Sequence, residues 1–198
     1  MENGTRIGVL AVQGDFQAHA RALWEAGATA VLAKRPEQVA QVQGLILPGG
    51  ESTTALKFLT EEGLLEAIVR VAGQGKPVFG TCAGAILMAR EVTNPLQPSL
   101  GLMDIRIQRN AYGRQVSSFI AREAAPALWP GQPLEMVFIR APIIDKVGAG
   151  VRVLAECRGA PVLVRQSHLL AATFHPELSA DRRIHEYFLE MVRNRQDG

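Results

Sequence analysis

The stretch "KPVFGTCAGAIL", residues 76–87, reads as the end of a strand, a sharp turn and the start of a helix. Cys82 stands at the turn, with Gly80 two residues before it and Gly84 two residues after. A strand that passes so tightly into a helix brings the two elements into contact, and only small residues leave room for that approach. The residue at such an elbow occupies a strained backbone position. Its side chain projects from the carboxyl end of the strand toward the helix N-terminus, where a thiolate is favoured. An unperturbed thiol, with a pKa of about 8.5, is only a few per cent ionised at neutral pH, so a modest downward shift changes its reactivity. The same junction arises in any doubly wound protein, so the motif alone leaves a packed structural cysteine open. Phosphate-loop readings are weaker, because no Lys-Ser/Thr follows the glycines and no three-glycine dinucleotide fingerprint is present.

Working outward, "RIGVLAV", "ATAVLAK", "GLILPGG" and "PVFGTC" are short apolar runs separated by the longer amphipathic stretches "FQAHARALWEAG" and "TTALKFLTEEGLLEAIVRVAGQG". Continuous apolar strands alternating with helical patterns predict a doubly wound α/β fold, its mostly parallel sheet flanked by helices. After the helix that begins near Ala83 the pattern changes to closely spaced segments: "MDIRIQRN", "SSFIAR", "EMVFIRAP", "VRVLAEC", "APVLVRQ" and "HLLAATF". These predict an antiparallel or mixed extension of the sheet in the second half. In "SADRRIHEYFLEMVRNR" the residues Ile184, Tyr187, Phe188, Met191 and Val192 recur on one helical face, so a closing helix is expected there. "EVTNPLQPSLG" is the expected long loop.

Composition narrows the classes. With 198 residues the chain is long enough for one sizeable core and short for two, so a single domain over residues 1–198 is expected. The net charge of +2 comes from 21 basic and 19 acidic residues that are interspersed, which gives no electrostatic case for nucleic acid or a membrane surface. "MENGTRIGVLAVQGDF" lacks the long apolar core of a signal peptide and no later segment is long enough to span a bilayer, so the cytoplasm is the expected compartment. In that reducing compartment Cys82 and Cys157 are both expected as thiols.

A thiol nucleophile needs a base, and the base gains from an acid that orients its ring and stabilises its cation. Of the four histidines, His19 falls in the first amphipathic stretch, His168 in a polar turn and His185 on the last helix, all settings that favour solvent-facing or structural roles. His175 differs. It ends the apolar strand of "LLAATFHPELSAD", with Pro176 to stop the strand and Glu177 two residues on. In extended backbone those two positions face the same side, so the carboxylate is expected to reach the imidazole nitrogen turned away from sulfur. A third element is "GLILPGGESTTALKFL": an apolar strand enters Pro48-Gly49-Gly50, and Ser52 or Thr53 is expected to cap the next helix. The glycines leave backbone N–H groups free to face a ligand, as an oxyanion site requires. Taken singly, each of these two elements also reads as an ordinary turn.

Strand-Gly-Gly, then Gly-x-Cys-x-Gly, then His-Pro-Glu, in that order, resembles the class I, triad-type glutamine amidotransferases. "GVLAVQGDFQAH", "LILPGGESTT", "FGTCAGAILMA", "RNAYGRQVSSF", "FIRAP" and "FHPEL" narrow the resemblance to the glutaminase subunits of pyridoxal 5'-phosphate synthase, from about Ile7 to Met191. The resemblance implies Cys82 as nucleophile, His175 as base and Glu177 as its orienter. It implies backbone N–H donors to the oxyanion at Gly50 and Ala83, and glutamine-binding positions at Gly50, Glu51, Ser52, Arg109, Ile139 and Arg140. The implied reaction is hydrolysis of L-glutamine to L-glutamate and ammonia through a cysteine thioester, without metal or organic cofactor. The implied partner is a (β/α)8-barrel synthase subunit that uses the ammonia to make pyridoxal 5'-phosphate, within a large hetero-oligomer. Competing readings are another cysteine hydrolase of related fold acting on γ-glutamyl or peptide bonds, a non-catalytic module, and a redox-sensing Cys82.

Overall fold

A computed structural model describes residues 4–109 and 118–196. The chain runs β1 (Arg6–Leu10), α1 (Phe16–Glu25), β2 (Thr29–Ala33), α2 (Pro36–Ala40), β3 (Gly44–Leu47), α3 (Ser52–Glu61), α4 (Leu64–Gly73), β4 (Val78–Thr81) and α5 (Ala83–Met88). It continues through β5 (Ala89–Thr93), β6 (Met103–Gln108), β7 (Ser118–Glu123), β8 (Leu134–Ile139), β9 (Ile143–Val147), β10 (Arg152–Cys157), β11 (Ala160–Gln166) and β12 (Leu169–Ala172). A 3-10 turn at Pro176–Leu178 and the closing helix α6 (Arg183–Gln196) complete it.

The main sheet has seven strands in the order β10-β11-β12-β4-β3-β1-β2. β12, β4, β3, β1 and β2 are parallel, and β10 and β11 extend the sheet antiparallel. Both faces are covered, which is why these strands are continuously apolar. Along β3, Leu45 and Leu47 face a layer containing Leu59, Leu64 and Ile68 of α3 and α4, while Ile46 faces a layer with Leu23 of α1 and Phe188 of α6. β4 divides in the same way, Val78 to one side and Phe79 to the other. On α6 the buried residues include Ile184, Phe188, Met191 and Val192, as the sequence pattern requires. Among the described residues no helix is long and apolar enough to cross a membrane.

Two local features differ from expectation, and a third was not foreseen. The amphipathic stretch after β3 is two helices, because Gly63 takes a left-handed conformation at φ 66° and ends the first one. The segments of the second half do not all join the main sheet: β5, β6 and β9 form a three-stranded sheet, β5 parallel and β9 antiparallel to β6, and β7 and β8 form a separate antiparallel hairpin. The β10–β11 ladder slips register twice, between Val153 and Ala155 and between Ala155 and Glu156, which marks a bulged edge. Of the quoted "RNAYGRQVSSF", residues 110–117 lie outside the described residues.

The topology sets the site. β1 is followed in the sheet by β2 on one side and β3 on the other, so the chain reverses direction across the sheet there. In such sheets ligands bind outside the carboxyl ends of the strands at the reversal. The carboxyl ends of β1, β3, β4 and β12 lie along one edge, leading into Gln13, Gly49, Cys82 and His175 respectively.

Candidate active site

Cys82 has φ 48° and ψ −103°, a conformation that few non-glycine residues adopt. Its N–H donates to the Ala172 carbonyl at 2.8 Å and its carbonyl accepts from Ile86 at 3.2 Å, so the strained residue is fixed on both sides. The glycines do what the spacing suggests. A Cβ on Gly80 would meet the Gly84 carbonyl carbon at 2.6 Å, and one on Gly84 would run into the Leu47 carbonyl of β3. The thiol is 6% exposed and its Sγ lies 4.0 Å from the Ile139 carbonyl, which brings β8 to the site. Ala83 follows at the first position of α5, where a helical N–H has no intrahelical acceptor.

His175 is anchored by its N–H to the Val137 carbonyl at 2.8 Å, and its Nδ1 lies 2.7 Å from Oε1 of Glu177. The expected pairing is present, but its means differs. Glu177 sits in the 3-10 turn that begins at Pro176, so the turn and not extended spacing brings the carboxylate to the ring. Burial alone would lower the pKa of His175. Hydrogen bonds with Cys82 and Glu177 outweigh it and raise the value to about 10. The imidazolium is therefore favoured beside sulfur and carboxylate.

Behind Glu177 lie two histidines whose proximity the sequence did not reveal. His19 and His185 are fully buried, not solvent-facing. His19 Nε2 lies 3.1 Å from Thr81 Oγ1 and 3.3 Å from Glu177 Oε2, and its Nδ1 lies 3.0 Å from His185 Nε2. Burial, then the charges of His185 and His175, hold the His19 pKa well below the usual histidine value. Burial and Arg182 push that of His185 down to about 3. Both shifts favour the neutral ring. His168, by contrast, is tied through Nε2 to the Ala72 carbonyl at 2.8 Å, in the turn before β12.

The rim is built by loops. Gly49 packs directly on the pair: a Cβ there would come within 3.0 Å of His175 Nδ1 and 3.4 Å of Cys82 Cβ. Gly50 has φ 140°, a conformation open to glycine, and a Cβ on it would collide with the Gln13 side chain. Gln13 Oε1 also accepts the Glu51 N–H at 3.0 Å, so the loop after β1 clamps the loop after β3. The sequence assigns Gln13 no role of its own, although it lies in the quoted "GVLAVQGDFQAH" at the end of an apolar strand.

The cap of α3 is Glu51, not Ser52 or Thr53. Its carboxylate accepts from the Thr53 N–H at 3.2 Å and the Thr54 N–H at 2.7 Å, and from both threonine hydroxyls. The Thr53 hydroxyl bond leads the causes that lower the Glu51 pKa to about 2, against partial desolvation. Glu51 also pairs with Arg109 at 3.3 Å, which joins two of the sequence-predicted rim residues. Ser52 is buried and donates its hydroxyl to Gln97 Oε1 at 2.8 Å. Arg140 follows Ile139 with φ 45° and is exposed at the end of β8.

A thiol, an imidazole and a buried carboxylate in series can move a proton off sulfur and hold the resulting cation. Glycine N–H groups beside them suit an oxyanion. The profile of the SNO glutamine amidotransferase family matches residues 9–194. The chain is 54% identical over 193 residues to pyridoxal 5'-phosphate synthase subunit PdxT of Koribacter versatilis (strain Ellin345), covering 98% of each chain. It is 55% identical over 192 residues to the protein of that name from Solibacter usitatus (strain Ellin6076), covering 94% of this chain and 99% of that one. A glutamine amidotransferase of known crystal structure superposes with TM-score 0.88 at 44% identity, over 94% of this chain and 98% of that one. A putative GMP synthase protein from Thermoplasma acidophilum shares the fold, with TM-score 0.72 at 15% identity over 100% of this chain and 98% of that one.

Proposed function

The chain belongs to the SNO glutamine amidotransferase family, and from that premise we propose that Cys82, His175 and Glu177 are its catalytic triad. The protein is a glutaminase, the glutamine-hydrolysing subunit of pyridoxal 5'-phosphate synthase. The observation that carries the triad is Cys82 at a positive-φ elbow, packed with His175 against Gly49, and a His175 ring whose Nδ1 lies 2.7 Å from Glu177.

In this reading His175 takes the Cys82 proton and the thiolate attacks the side-chain amide carbon of glutamine. The carbonyl oxygen becomes an oxyanion that receives the N–H groups of Gly50 and Ala83. Collapse breaks the carbon–nitrogen bond while the imidazolium returns its proton to the leaving nitrogen, which departs as ammonia. Water, deprotonated by the same imidazole, then attacks the thioester. Glutamate leaves and the thiol is restored. Glu51, Ser52, Arg109, Ile139 and Arg140, with Gly50, hold the substrate at the rim. The family, a glutamine amidotransferase family, favours glutamine over other γ-glutamyl or peptide bonds as substrate.

Free ammonia protonates and diffuses, so hydrolysis serves only when delivery is coupled to it. The recipient is the synthase subunit, which is a (β/α)8-barrel in a large hetero-oligomer, and its docking activates the glutaminase by setting the Gly50 loop. Losing one oxyanion donor costs roughly 10²–10³ in turnover, which is the scale of that activation. Ammonia release from glutamine, measured on the purified chain alone and with excess synthase subunit, tests this. Quenched samples should carry a γ-glutamyl adduct on the Cys82 peptide. Equal turnover in both conditions removes the loop switch, and an adduct elsewhere removes the nucleophile assignment.

A further inference from the structure

We propose that His19 is a positioning residue for the reaction: its Nε2–H is the second donor to the Glu177 carboxylate, and His185 fixes the tautomer that makes it so. The inference rests on the reading of Glu177 as orienter of His175. It begins from a deficit. Oε1 of Glu177 faces His175, but the buried Oε2 has no aligned hydrogen bond among the described residues. The donor within reach of Oε2 is His19 Nε2 at 3.3 Å, shared with Thr81 Oγ1 at 3.1 Å.

The location of the His19 proton follows from the rest of the hydrogen-bonded series. His185 Nε2 lies 3.0 Å from His19 Nδ1, and His185 Nδ1 is buried without a partner among the described residues. Suppose His19 carried its proton on Nδ1. It would donate to His185 Nε2, force the His185 proton onto the unpartnered Nδ1, and turn a lone pair toward the carboxylate. A buried N–H without an acceptor and two facing lone pairs are both unfavourable. With the opposite tautomers, His185 Nε2–H donates to His19 Nδ1, and His19 Nε2–H is left for Glu177 and Thr81. Only a nitrogen lone pair on His185 then goes unmatched. Both rings carry Nε2–H in this arrangement, and neither is charged, so no second cation stands beside the His175 imidazolium.

The function of this series is to hold Glu177 square to His175. Ionisable groups around the carboxylate are His175 and Cys82 on the reacting side, His19 from α1, and His185 from α6, near Arg182 that is itself paired with Glu25. Removing the His19 donor leaves one oxygen of a buried carboxylate unsatisfied, weakens its support of the imidazolium, and so reduces the thiolate present at neutral pH.

Two measurements on the full chain test this, in a Cys157→Ala background so that iodoacetamide reports Cys82 alone. Nitrogen-15 spectra of the histidines should show His19 protonated on Nε2; protonation on Nδ1 overturns the proposal without any substitution at the site. The alkylation rate against pH should move upward by about one pH unit in His19→Leu, with glutamine turnover in the presence of the synthase subunit falling on the order of tenfold. His19→Gln, whose amide nitrogen reaches the place of Nε2, should restore most of both, whereas His19→Asn, whose amide reaches only the place of Nδ1, should not. A folded His19→Leu or His19→Asn whose alkylation profile superimposes on the parent's overturns the proposal. A profile that is also unmoved in His175→Asn overturns instead the triad reading on which it rests.

Discussion

At the floor of the site Cys82 is 6% exposed, His175 8%, Glu177 4%, and His19 and His185 0%; at the rim the Glu51 side chain is 54% exposed and Ile139 40%. The floor is held by backbone closeness, with glycines packed against carbonyls and a buried polar series that runs from His175 through Glu177 and His19 to His185. The rim is held by side chains reaching between loops: Gln13 to Glu51, Glu51 to Arg109, Ser52 to Gln97. In a low-dielectric floor each hydrogen bond and each missing one counts heavily, whereas exposed pairs at the rim are screened. In the proposed reading chemistry belongs to the floor and substrate fit to the rim, so the two should answer differently to substitution.

The largest effect is expected from Cys82→Ala: glutamine turnover falls by about 10⁴-fold or more while the thermal unfolding midpoint is nearly unchanged. Residual turnover within tenfold of the parent would move the chemistry off the floor. Next, His175→Asn should cost almost as much and Glu177→Gln less, since an amide still orients the ring but supports its cation poorly. The raised pKa of His175, about 10 in the folded state against 6.5 unfolded, adds a pH signature. The stability it contributes is fully present below 6.5 and is lost as pH rises through about 10, so His175→Asn should lack that alkaline loss in thermal scans.

Gly84→Ala should act on stability before activity. Its Cβ would occupy the place of the Leu47 carbonyl, and a loss of roughly 2–4 kcal/mol in denaturant unfolding is expected. At the rim, Glu51→Gln should raise KM more than it lowers kcat and remove part of the α3 cap. Because the Glu51 pKa is depressed from 4.5 to about 2, the carboxylate's contribution is present above pH 4.5 and lost as pH falls toward 2. The stability gap between parent and variant should close over that window. A gap that persists unchanged below it would mean the cap does not depend on charge. The smallest effect is expected from Cys157→Ala, whose thiol is buried away from the site and raised in pKa by burial and then by Glu123. Unchanged glutamine turnover checks it.

The floor's first line was legible because each part lies in one short motif: the Gly-x-Cys-x-Gly elbow, and His-Pro-Glu at a strand end. The alternation of apolar runs likewise revealed the parallel half of the sheet. What was hidden depends on approach between distant segments. His19 and His185 are 166 positions apart and meet only because α1 and α6 cover the same face of the sheet. On a helical pattern each reads as one polar residue among others. Glu51 displaced Ser52 and Thr53 as cap because a carboxylate can accept several N–H and O–H groups together, which no propensity scale for single residues conveys. The separate β5–β6–β9 sheet escaped notice because short alternating segments specify a buried face but not which neighbour supplies it.

The bulged ladder between β10 and β11 also bears on self-association. A flat, regular edge invites another strand, and an edge that slips register twice offers no continuous row of donors and acceptors to copy. Arg158, at the turn beyond β10, lies 3.8 Å above the ring of Phe119 on β7. The opposite edge, β2, is only five residues long and runs directly into Lys34 and Arg35. The sheet thus resists lengthening at both ends. Addition of a further strand is disfavoured at each end of the main sheet by a different device, broken register at one and adjoining cationic residues at the other.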